Sequence, residues 1–157
     1  MKKRILILSL LAALLLLPAC GKKAETAAPK ADLSALYTQL TALPDAPEMV
    51  PVSEKRMANY YGIDPTACPQ AILSICGDGL RADEIWLVEA SDEEAAKKLV
   101  TLAENRVKQL SEETESYRPE QNAVVKAAKI VQRGSSVGLF ISPQADKMAD
   151  MFSAAFQ

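Results

Sequence analysis

The spacing of apolar positions changes character twice along the chain. Residues 5–17 are apolar apart from Ser9, while residues 21–31 hold small, charged and proline residues with no large apolar side chain. From Asp32 onward the apolar positions become periodic. Asp32 can cap a helix in which Leu33, Leu36, Tyr37 and Leu40 recur at helical intervals. Pro44, Pro47 and Pro51 then predict an extended connection, and Ser53 opens a short helix through Tyr60 with Gly62 as its C-terminal cap.

Ala71 to Cys76 and Glu84 to Glu89 read as two strands joined by a turn at Gly77, Asp78 and Gly79. Ala71, Leu73 and Ile75 share one face of the first strand, and Ile85 and Leu87 share one face of the second. Ser91 to Glu94 has the form of a capping box, with Ser91 as the cap. The helix behind it lines up Ala96, Leu99, Ala103, Val107 and Leu110 along one stripe. Pro119 opens a shorter helix to about Lys126. Ala128 to Arg133 and Val137 to Ile141 form a second predicted hairpin around Gly134. Ser142-Pro143 then predicts a final helix with Ala145, Met148, Ala149, Phe152 and Phe156 on its buried side. The economical architecture is α+β: a four-stranded, mainly antiparallel sheet from two hairpins, with amphipathic helices packed on one face.

The front of the chain has a different purpose. Met1-Lys2-Lys3-Arg4 precedes the apolar run, whose thirteen residues suit a signal-peptide core and fall short of the ~20 a spanning helix needs. The run ends in Leu17-Pro18-Ala19-Cys20, which resembles the lipobox of bacterial lipoproteins; Pro18 departs from the small residues usual there. The resemblance implies cleavage after Ala19 and a diacylglycerol thioether on Cys20. The competing reading is an ordinary secretory signal in which Cys20 has no role. Two acyl chains burying about thirty methylenes would attract the membrane with a nominal ~20 kcal/mol. Three sections follow: a signal peptide over 1–19, a lipidated cysteine and tether over 20–31, and one globular domain over 32–157. The tether reaches at most ~35 Å. Lys22 and Lys23 would sit beside anionic lipid, or simply solubilise the linker.

Composition narrows the chemistry. The chain of 157 residues has no histidine, which excludes Ser-His-Asp triads, Cys-His dyads and histidine-based metal sites. Loss of residues 1–19 would remove three of 18 basic residues and none of 20 acids, leaving a net charge of −5. Such a chain offers nothing to neutralise phosphates, so nucleic acid is not an expected partner. Neither a phosphate loop, a nucleophile elbow, metal-ligand spacing nor a cofactor signature is present.

Three sets of residues are candidates for more than structure. Cys68 and Cys76 lie eight apart in an exported domain, where a bridge would contribute ~2.5 kcal/mol; two inert thiols are the bland alternative, and a reactive cysteine a third. The acidic groups Asp83-Glu84, Asp92-Glu93-Glu94 and Glu112-Glu113-Glu115 read as caps and solvated surface charge. Trp86, the only tryptophan, points away from Ile85 and Leu87, on the side of Val88 and near Tyr60 or Tyr61. With helices on one face only, this group would form an open partner or ligand surface. Otherwise the N-terminal helix or the proline-rich connection covers it.

Several spots resemble a family of small lipoproteins from clostridial Gram-positive bacteria, catalogued as domain of unknown function number four-three-five-eight. They are Tyr61-Gly62-Ile63-Asp64, Ala82-Asp83-Glu84-Ile85, Tyr117-Arg118-Pro119-Glu120-Gln121, and Gly134 followed by the strand from Val137 to Ser142. The resemblance covers about residues 32–155 and implies an extracytoplasmic lipoprotein at the cell membrane, with no catalytic residue to transfer. The expected function is a non-enzymatic binding or envelope-associated module whose protein or small-molecule partner the sequence does not name. A ligand-binding or sensory lipoprotein serving a membrane complex is the alternative, and an envelope enzyme ranks third.

Overall fold

A computed structural model describes residues 30–157. The expected signal peptide, the Cys20 lipidation site and most of the tether lie outside the described residues. The tether expectation is corrected at its end, because Lys30 and Ala31 already touch the fold. Lys30 Nζ meets Glu89 Oε1 at 3.1 Å, and Gln70 Nε2 donates to Ala31 O at 3.0 Å.

Five strands form one antiparallel sheet in the order β1-β2-β3-β5-β4: β1 (Met49–Pro51), β2 (Gln70–Cys76), β3 (Glu84–Glu89), β4 (Lys129–Arg133) and β5 (Ser136–Ile141). The two expected hairpins are β2–β3 and β4–β5, joined by β3 pairing with β5. The fifth strand, β1, corrects the expected four. It is three residues of the proline-rich connection, and Pro51 fits there because β1 is an edge strand with an outer side free of ladder bonds.

Helices cover both faces, not one. Residues α3 (Glu93–Glu115), α4 (Pro119–Lys126) and the turn Met57–Tyr61 bury Leu73, Trp86, Val88, Val137, Leu139 and Ile141. On the other face α1 (Leu33–Thr41) and α5 (Ala145–Ala154) bury Ile85, Leu87 and Phe140. The reason lies in β3 and β5, where every residue is buried. Ile85-Trp86-Leu87-Val88 has no polar partner to turn outward, so both sides must be sealed.

Capping follows the chemistry with small shifts. Asp32 Oδ1 accepts from Ser34 and Ala35 N, each at 3.0 Å, as expected. At α3 the cap is Asp92 rather than Ser91: Asp92 Oδ1 accepts from Ala95 N at 2.7 Å, and the Ser91 hydroxyl donates to Asp92. The final helix starts later than expected. Ser142 Oγ and O close a turn with Gln144 N and Ala145 N, and α5 begins beyond it.

Candidate functional site

The short helix α2 (Glu54–Arg56) widens into a π-turn over Met57–Tyr61. It ends at Gly62, whose φ of +70° suits glycine, and the N–H groups of Gly62 and Ile63 both donate to Met57 O. This turn sets two consecutive tyrosines beside Arg106 of α3. The guanidinium carbon lies 5.5 Å from the Tyr60 ring centre and 5.3 Å from that of Tyr61. Arg56 stands over Tyr60 as well, at 5.5 Å. The Tyr61 and Trp86 rings meet edge to face at 5.5 Å.

At the centre is a buried ion pair. Glu84 opens β3 and alternates onto the same face as Trp86. Arg106 Nη2 donates to its Oε2 at 2.8 Å, and Nε reaches both oxygens at 3.0 and 3.1 Å. Trp86 Nε1 adds a donation to Oε1 at 2.6 Å. The Glu84 side chain is 2% exposed and that of Arg106 10%. Burial opposes the Arg106 charge, but the Glu84 hydrogen bonds hold its proton above the ordinary range. Burial and then the Glu84 carboxylate push the Tyr61 phenol up to about 12. The Tyr61 hydroxyl is buried without a partner.

Trp86, Val88 and Tyr61 therefore form no open surface, and only Tyr60 is half exposed. The cover is α3 with the π-turn, not the N-terminal helix, which lies on the opposite face. The expectation of solvated charge also fails for Asp83 and Glu84, both buried. Arg106 was missed although its spacing carried a signal. It falls on the stripe of Leu99, Ala103 and Leu110, where an arginine needs a buried acid, and Glu84 alternates with Trp86 and Val88.

Cys68 and Cys76 are free thiols, which corrects the bridge. Strand β2 separates them, and its rise of ~3.3 Å per residue spans ~20 Å between Gln70 and Cys76, against less than ~7 Å that a disulfide allows. Burial, with the Asp64 carboxylate second, pushes the Cys68 thiol up and away from reactivity.

The more accessible surface lies at one end of the sheet. The turn from Gly77 to Asp83 is stapled to the corner between α3 and α4. Arg118 Nη1 donates to Gly79 O at 2.8 Å, and Ala82 N donates to Gln121 Oε1 at 2.9 Å. Arg81 forks onto Asp83 at 2.9 and 3.0 Å. Two open grooves flank Arg81. One of about 570 Å³ is lined by Leu80, Tyr117, Arg118 and Glu120, and one of about 410 Å³ by Glu48, Val50 and Asp78. Leu80 is 71% and Tyr117 87% exposed. Two of the motif segments, around Ala82 and around Tyr117, thus meet in space.

Among the described residues, no group of three His, Cys, Asp or Glu is placed to hold a metal ion, and no helix is long and apolar enough to cross a membrane. Fold and site define an antiparallel α+β domain with a sealed ion pair inside and an apolar-studded end outside. The domain of unknown function DUF4358 matches residues 43–142, and the chain belongs to that family. It matches no curated protein and no solved structure. Helices α1 and α5 both lie outside the matched span.

Proposed function

We propose that this protein is a lipoprotein held on the extracytoplasmic face of the cell membrane by diacylglyceryl-Cys20, and that its folded domain is a binding or envelope-associated module rather than an enzyme. The observation that carries this reading is Cys20 itself, placed after a basic start, a thirteen-residue apolar run and a small residue. The first described contacts of the chain, at Lys30 and Ala31, leave ten residues from Cys20 to Pro29, or at most ~33 Å of leash. Against catalysis stands the way Glu84, Arg106 and Tyr61 are used: sealed from solvent and engaged with one another. The open shape of the two grooves favours a protein segment over an enclosed small molecule.

Labelled palmitate fed to the native host should mark the protein, and a Cys20→Ala form should leave the membrane fraction or stay as an uncleaved precursor. A wild-type chain that takes up no label, or a Cys20→Ala form that fractionates and runs identically, defeats the proposal.

A further inference from the structure

The end of the sheet that carries the grooves lies opposite the point where the chain enters the fold. Lys30 and Ala31 dock against Gln70 and Glu89, and β2 then runs ~20 Å before reaching the turn at Gly77. Of the four large apolar residues that stand exposed among the described residues, Val50, Leu80 and Tyr117 line the two grooves at this end. The fourth, Tyr60, is already in cation–π contact with two arginines. Exposed tyrosine set beside arginine matches the composition of an interface centre, and the exposed leucine and valine add apolar area to it.

Charge selects the occupant. Glu48, Asp78 and Glu120 line the grooves without a salt-bridge partner among the described residues, while Arg81 is neutralised by Asp83. Arg118 is the one base set against those three acids, and a carbonyl already holds it. A second copy would bring like charge to like charge. An anionic bilayer would be repelled, and the chain leads towards the membrane from the other end. We infer that this end docks a basic segment, bearing apolar side chains, of another extracytoplasmic protein. The outward direction and the partner's extracytoplasmic location rest on the lipoprotein reading; the docking of a basic, apolar-bearing segment does not.

The test is a titration of the full chain, purified in detergent so that the result does not depend on Cys20 acylation. The probes are a fluorescent peptide alternating lysine with leucine and tyrosine, and its glutamate counterpart. The lysine peptide should bind at least about tenfold more tightly at low ionic strength, with the gap closing as salt screens it. Leu80→Ser and Tyr117→Ser alter exposed side chains and should leave the urea midpoint in place, yet each should weaken binding about tenfold or more. Equal binding of both peptides, no binding of the lysine peptide, or binding untouched by Leu80→Ser and Tyr117→Ser combined overturns the inference. So does self-association lost on Tyr117→Ser, which would make a second copy the occupant, or preferential binding to phosphatidylglycerol vesicles.

Discussion

The two faces of the sheet are closed by different physics. Beneath α1 and α5 the filling is wholly apolar: Leu33, Leu36, Leu40, Ile85, Leu87, Met148 and the pair Phe140–Phe152, whose rings meet at 5.9 Å. Gly138 makes the room, since a Cβ there would come within 2.7 Å of the Phe140 ring and 3.1 Å of Phe152. Beneath α3 a similar apolar field contains one charged pair, Glu84–Arg106, boxed by three aromatic rings. An oily face tolerates any filling of the right volume, whereas a buried pair tolerates only its own partner. The difference teaches that the buried face of α3 is held in one register by a charged, hydrogen-bonded pair, while the buried faces of α1 and α5 fit by shape and their polar ties, Leu33 N to Gln70 and Arg133 to Ser153, lie at the margins.

The sharpest way to break this contrast is at Arg106. Arg106→Met should cost about 3–5 kcal/mol by stranding a buried carboxylate, and adding Glu84→Leu should recover most of the loss in urea unfolding. On the opposite face Phe152→Ala should cost a similar ~3–5 kcal/mol through the cavity it leaves, with no single polar change able to restore it. Gly138→Ala should lose about 1–3 kcal/mol by overpacking the two phenyl rings. Tyr61→Phe should be the mildest change and of opposite sign, gaining about 1 kcal/mol by removing a buried hydroxyl without a partner.

The last variant also sharpens the electrostatic side. Native Tyr61 keeps its proton up to about 12, against 10.0 for an ordinary tyrosine. Above pH 10 the unfolded chain gives up a proton that the native one retains, so the Tyr61 share of stability is complete below pH 10 and declines towards pH 12. A thermal melt series over that interval should fall less steeply for Tyr61→Phe than for wild type.

Most of the scaffold was legible from spacing. The strand Glu84–Glu89, the helix Pro119–Lys126 and the Asp32 cap stand where the pattern places them. Strand β1 was not legible because three residues bounded by proline carry no alternation. The covering of both faces was missed for a different reason. Period-two reading of Ile85 and Leu87 ignored that Trp86 and Val88, between and beside them, are just as apolar, and an unbroken apolar run means burial on both sides. The expected open surface around Trp86 fell with that error. Its members Tyr60, Tyr61 and Trp86 do converge, but on the Glu84–Arg106 pair, and the place of Arg106 on an apolar stripe was the overlooked clue. The grooved end was out of reach, because Leu80 and Tyr117 lie far apart in sequence and are joined only by the Arg118 and Gln121 staples.

Gln70 ties three pieces of chain with one amide: it accepts from Leu33 N at 2.9 Å and donates to Ala31 O and Glu89 Oε2 at 3.0 and 2.9 Å. Any pull arriving from the N-terminal side meets this knot before it reaches the strands. Tension would first strip the knot and then lift α1 away, leaving the sheet and α3 to bear load afterwards. In an optical trap that sequence would register as a short, low-force extension ahead of the main rupture.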